Sequence, residues 1–307
     1  MGGVEKERNV RCFWESNFRP VLFAVSILAA QIFDTTQSAA DNAQTIGKNL
    51  CDVLAAVPDD PNAVTPGVYI WNMKAEKAYR ACGDAVKQYP SVDRFKFQLQ
   101  ISKAIFFKLT GRKYSDLENG LNELGKNGYN HAYFMLYEYF KTGYLLPVNI
   151  TKMEFYSKKA KASGSYAAQA EEGYLELKSQ SKKIVKIAVQ KIHRAARQGN
   201  SGAQATYGMI VWEYSEIEGS RWLLKSARAG NPMAMYFYFL KTSEPGQIPE
   251  TSLNWLTKAA ESNHPAALNY LSGIYEVGRG VPKNSTLSKK YKNKLKALYA
   301  VLKLLTG

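Results

Sequence analysis

Residues 255–267 read Trp255-Leu256-Thr257-Lys258-Ala259-Ala260-Glu261-Ser262-Asn263-His264-Pro265-Ala266-Ala267. The large apolar side chains Trp255 and Leu256, with Ala259, stand at −8, −7 and −4 from Asn263. Positions −8 and −4 share one face of a helix, and −7 borders it. Asn263 turns the chain, and an alanine follows at +4, early in a second helix. The corner recurs at Gly128, Gly164, Gly199 and Gly230, with Ala132, Ala168, Ala203 and Ala234 at the same +4 offset. Successive turn residues lie 36, 35, 31 and 33 positions apart. Self-similarity at this period predicts an all-α solenoid of stacked helical hairpins. Such an array offers a long binding surface and no built-in catalytic pocket.

The flanks lack the repeat spacing. Met73 to Gln88 reads as one helix stopped by Pro90, and Val92 to Leu109 as another closed by Gly111. Residues 41–111 are therefore expected to form a helical N-terminal cap, with the repeats in 112–284. Leu287, Tyr291, Leu295, Leu298, Leu302 and Leu305 mark the apolar face of a last helix within 285–307. Lys289, Lys290, Lys292, Lys294, Lys296 and Lys303 surround that face. It is expected to cap the final hairpin. The competing reading is a surface helix that meets anionic lipid or an acidic partner.

The 307 residues carry 41 basic and 26 acidic side chains, a net charge of +15. Such an excess bears on partners rather than on fold: an acidic protein face, an anionic polysaccharide or lipid headgroups, with nucleic acid not expected. Residues 1–40 have the character of an export signal: Lys6, Arg8, Arg11 and Arg19, then an apolar run from Val21 to Phe33, then Ser38-Ala39-Ala40. Cleavage is expected after Ala40, which places the mature chain in the periplasm or outside the cell. The alternative is an inner-membrane anchor at residues 20–33. Cys12 would leave with the signal. Cys51 and Cys82 would remain, an even pair that favours a disulfide in an exported chain, against two isolated buried thiols. The Pro-rich link from Pro58 to Gly67 could fold their two helices back to back.

The repeat resembles the Sel1-like repeat, a relative of the tetratricopeptide repeat. Residues 255–267 match the front of its pattern, and Leu271, Tyr275 and Gly278-Arg279-Gly280-Val281 complete it. A second match runs from Ala195 through Gly199-Asn200-Ser201-Gly202-Ala203 to Gln204, followed by Tyr207-Gly208. Residues 51–109 are also similar to a segment that precedes such repeats in exported bacterial proteins. The resemblance implies a right-handed helical-hairpin solenoid whose first helices line the concave side. It also implies an adaptor or regulator that binds proteins in the cell envelope, with no cofactor and no enzymatic activity. A β-lactam-binding activity linked to cysteine-rich relatives is not carried over, because their paired in-repeat cysteines are absent here.

On first helices arranged in that way, position −2 holds Lys126, Ala162, Arg197, Arg228 and Glu261, where the family usually has glutamate. Position −6 adds Lys158 and His193, one turn behind on the same face. Lys126, Lys158, His193, Arg197 and Arg228 are therefore the candidate partner-binding residues, suited to an acidic partner. The bland reading of such a row is a wetted surface. The three histidines stand at different offsets of different hairpins, which sets aside a shared cluster, and each reads as a turn or surface residue. Gly120 to Asn127 imitates a phosphate loop but lies inside a helical pattern and lacks the hydroxyl for magnesium. No metal or cofactor site is expected.

Overall fold

The structure, a computed structural model, describes residues 47–244 and 246–306. The expected signal sequence and its cleavage point lie outside them. Helices α1 (Leu50–Ala55), α2 (Ala75–Gln88) and α3 (Asp93–Leu109) come first. Five hairpins follow: α4 (Leu117–Lys126) with α5 (His131–Thr142), α6 (Ile150–Ala162) with α7 (Tyr166–Glu176), α8 (Lys182–Arg197) with α9 (Ser201–Trp212), α10 (Glu216–Arg228) with α11 (Pro232–Thr242), and α12 (Glu250–Glu261) with α13 (Pro265–Val277). The chain ends in α14 (Ser285–Thr306). Each helix packs on its neighbours in sequence, and α9 also touches α7 and α11, the stacking of a solenoid.

One backbone device makes all five corners. Gly128, Gly164, Gly199 and Gly230 take φ of +94°, +78°, +94° and +90°, and Asn263 takes +59°. Glycine reaches this left-handed region without a Cβ clash, and asparagine tolerates it best among the others. In every hairpin the turn residue's N–H reaches the carbonyl at −3, and the next N–H reaches the carbonyl at −4, at 2.9–3.2 Å. These two bonds close the first helix in a Schellman motif. The residue at +1 then starts the second helix. Ser165, Asn200, Asn231 and His264 each accept the N–H of the +4 alanine, at 3.3, 2.7, 3.0 and 3.3 Å. The first hairpin has Tyr129 at this position and no side-chain cap.

Ala132, Ala168, Ala203, Ala234 and Ala267 are all buried, as the corner pattern requires. The facing residues at −4, Leu124, Ala160, Ala195, Ser226 and Ala259, are buried too. The centre of the first-helix stripe differs from its sequence reading. Leu121, Ile192, Leu223 and Leu256 at −7 are wholly buried, whereas Trp222 and Trp255 at −8 are half-buried. The indoles lie at the seam with the preceding hairpin, and the Trp222 N–H donates to Glu218 at 3.0 Å. The second hairpin inverts this, with Tyr156 buried and Ser157 half-buried.

Helix α14 starts like α6. Asn149 and Asn284, the asparagines of two Asn-x-Thr triplets, accept the N–H groups of Lys152 and Leu287 at 2.9 Å each. Seven residues on, Tyr156 stacks on Phe140 at 5.8 Å and Tyr291 on Tyr275 at 6.1 Å. Helix α14 thus docks on α13 as a sixth first helix, but runs on without turning. Its far end meets α3 and the loop after α5, where Leu145 N donates to Leu305 O at 3.3 Å.

Cys51 on α1 and Cys82 on α2 are joined by a disulfide and fully buried. Beside them Asp52 is buried against Arg94 at 3.1 Å and accepts from Gln98 at 3.2 Å. The fused pair pins α1 over α2 and α3, and so fixes both ends of the chain segment between α1 and α2.

Two stability outcomes are expected in urea denaturation. Ala234→Leu should lower stability by about 1–3 kcal/mol through overpacking. Cys82→Ala should lower it by ~3–4 kcal/mol, since it frees a closed span of 31 residues. An unchanged midpoint for Ala234→Leu would contradict the close approach of the paired helices.

Candidate functional site

Two surfaces stand out, one on the first helices and one along the row of turns. On the first, lysines at −5 lie over aromatic rings. Lys225 is 5.2 Å from the centre of Trp222, and Lys258 is 4.7 Å from that of Trp255. Lys159 lies 4.8 Å from Phe155 and 5.1 Å from Tyr133. The tryptophans also pack edge-on against Tyr207 and Tyr238 of the second helix before them, at 5.3 and 6.5 Å. The result is a ladder of partly buried rings topped by ammonium groups. Phe155, Ile187 and Ile217, on α6, α8 and α10, are exposed.

The structure places the sequence candidates along this array without gathering them into one pocket. Lys126 is exposed and paired with Glu123 at 2.6 Å, which raises its pKa. Lys158 is exposed on α6. Arg197 and Arg228 close consecutive first helices at the same offset and are exposed, and neither they nor Lys158 make an ion pair among the described residues. His193 is half-buried, stacked on Tyr207 at 4.3 Å and set against Trp222. Burial first, and the Arg197 charge second, lower its pKa. Acidic groups instead bridge neighbouring hairpins, Glu118 with Lys152, Glu171 with Lys141, Glu172 with Lys191 and Glu213 with Lys241, and Glu172 also pairs with Lys161 within its own hairpin. The face of the first helices is left basic. On α14, Lys292 pairs with Glu276, and Lys294 donates to the carbonyls of Ala260 and Glu261 at 2.8 and 3.0 Å, so two of its lysines are engaged within the fold.

The second surface was read in the sequence only as a connector. The segment between α1 and α2 loops out over residues 57–67, closed at its base by Val68 N donating to Ala56 O at 2.7 Å. Gly67 is obligatory there, because a Cβ would come within 2.2 Å of the Pro58 backbone. The segment then runs like a strap along the hairpin turns. Tyr129 donates to Asp60 at the first turn at 2.5 Å. Ser201 N, at the start of α9, donates to Asp59 at 2.6 Å. Pro66 lies against Gly230 at the fourth turn, and Asn72 donates to Ser262 O at the fifth at 2.8 Å. Asp59 accepts from a helix N-terminus, where the backbone favours negative charge. Asp59-Asp60 within the link was the available signal in the sequence, but nothing local shows that those carboxylates meet turns 69 and 142 residues away.

His131 departs from its expected turn or surface setting. It is 2% exposed at the start of α5, edge-on to Phe97 at 5.8 Å and tilted against Phe134. The Gly120–Asn127 stretch lies almost wholly within α4, as its periodicity suggested.

The repeated corners, the buried alanines and the stacked pairs make this an all-α solenoid of helical hairpins, the fold that the resemblance to Sel1-like repeats implies. No family model matches the sequence, and no curated protein matches it. Among solved structures the chain is similar to immunity protein PA5088 from Pseudomonas aeruginosa, with 15% identity, 67% of this chain and 82% of that one covered, and a TM-score of 0.50. That likeness is one of fold alone. A Sel1 repeat protein from Oxalobacter formigenes aligns with 19% identity over 71% of this chain and 94% of its own, at a TM-score of 0.49. The antigen c5321 of uropathogenic Escherichia coli, described as having an SLR fold, aligns with 18% identity over 71% and 48%, at 0.44.

A pH dependence follows from His131. Burial lowers its pKa from the ordinary 6.5, against a smaller opposing pull from Asp60 and Asp59. The unfolded chain therefore takes up a proton before the folded chain does. Stability should be full above about pH 7 and fall as pH drops below ~6.5. His193 and His264, also lowered by burial, act in the same direction. In thermal melts from pH 7.5 to 5, His131→Phe should lose part of that fall. Parallel curves for the two proteins would remove His131 as a cause.

Proposed function

We propose that this protein is an exported adaptor that holds the acidic face of another protein in the cell envelope. The observation that carries the reading is the first-helix ladder: rings with lysines on them in the second, fourth and fifth hairpins, next to Lys158, Arg197 and Arg228. Partly buried Trp and Tyr supply the rigid apolar area typical of binding hot spots, and arginine adds bidentate contact to carboxylates. Lys126 and His193 extend and stiffen that row. In this reading residues 41–111 and 285–307 cap an array in 112–284. The buried Cys51–Cys82 bond supports folding in an oxidising compartment, consistent with a signal in residues 1–40. Among the described residues no helix is long and apolar enough to cross a membrane.

A second reading, binding of anionic polysaccharide or lipid, draws on the far half of α14. Tyr299 and Leu304 are exposed there beside Lys296 and Lys303. The two readings respond differently to salt. Binding to a polymer or lipid surface should collapse as salt rises, whereas an interface with an aromatic centre should weaken mildly.

The test uses the mature chain and its Arg197→Glu/Arg228→Glu variant in crosslinking capture from a cell-envelope extract. The variant should lose the proteins that the parent retains at about 0.3 M salt, a concentration that screens exposed charges beyond several ångströms. Equal capture by both would rule out the first-helix face as the contact.

A further inference from the structure

Under the loop of residues 57–67 lies a cavity of about 460 Å³, walled by that loop and by the first four hairpin turns. It is separate from the aromatic and basic face and of a size that takes a small molecule. Its walls contain no lysine or arginine, although the chain carries a charge of +15. The two carboxylates, Asp59 and Asp60, are already met by Ser201 N and the Tyr129 hydroxyl. An anion would find no cation there, and an added cation would compete with donors already in place. An apolar guest would strand the polar walls. What the walls offer is uncharged hydrogen bonding from Asn130, Gln198 and Asn200, with the ring of Tyr166 at the rim.

His131 supplies an independent reason to place a ligand here. It lines the cavity, is almost wholly buried, and has no hydrogen-bond partner on either ring nitrogen among the described residues. A buried polar group without a partner is costly and calls for one. The neutral imidazole carries one donor and one acceptor.

We propose that this cavity binds a short neutral saccharide of about two sugar rings. Adjacent sugar hydroxyls are at once donors and acceptors, which suits side-chain amides and a neutral imidazole together. The apolar face of a pyranose packs on a tyrosine ring.

The experiment is a titration of the isotope-labelled mature chain by amide NMR. The neutral probes are cellobiose and the N-acetylglucosamine disaccharide, and the charged probes are digalacturonate and spermidine, each to about 10 mM, the range of weak carbohydrate affinity. A neutral disaccharide should shift the amides of Tyr166, Gln198, Asn200 and Ser201 saturably, and the affinity should not change with salt. His131→Phe should weaken it about tenfold, the loss expected for one hydrogen bond. Gln198→Ala alters an exposed wall residue without touching the core, so it tests the site even if His131→Phe folds poorly. The proposal is overturned if no neutral probe saturates, if only a charged probe binds, or if Gln198→Ala together with Tyr166→Ala leaves the affinity unchanged.

Discussion

Everything in this molecule hangs on the left-handed residue at each corner and the two backbone bonds that close over it. Those bonds satisfy the carbonyls that a helix end would leave unpaired. The next residue immediately satisfies an orphan donor of the following helix. One short stretch thus ends a helix, reverses the chain and starts another, with little room for variation in angle. Because the same stretch places an alanine at +4, the reversed helix can lie close against the first. Repetition of that local geometry sets the stacking of the whole array.

On this regular frame the N-terminal segment behaves differently from a repeat. It has no hairpin of its own. It crosses the corners of other hairpins, where Asp59 and Asn72 meet backbone groups and Asp60 meets the Tyr129 hydroxyl. The bond between Cys51 and Cys82 and the buried Asp52–Arg94 pair hold its ends. Asp52 is a buried charge that loses its compensation if Arg94 is removed, so the pair specifies one arrangement of α1 on α3.

The hairpins could be read from the chain because their determinants are local. Glycine at the turn, a capping residue after it and alanine beyond all act within about ten residues of each other. Asn263 was readable in the same way, since asparagine is a tolerated substitute at positive φ. The −8 tryptophans were harder to place. Periodicity assigns them to the apolar face, but their half-burial depends on Tyr207 and Tyr238 of the hairpin before. The course of residues 57–72 was out of reach for the same reason. The partners of Asp59, Asp60 and Asn72 are Ser201, Tyr129 and Ser262, brought near only by the stacking. His131 shows the limit again: its offset in the corner suggested a wet turn, and Phe97 from outside the repeats covers it.

Repeat arrays commonly grow or shrink by whole units, because each unit contacts only its neighbours. Here a single covalent segment touches the first, third, fourth and fifth corners at fixed stations. It acts as a ruler. Inserting or deleting one hairpin in the middle would throw every later station out of step, while α14 would no longer reach the loop at Leu145. The number of units in this array is therefore written twice, once in the repeats and once in the segment that spans them.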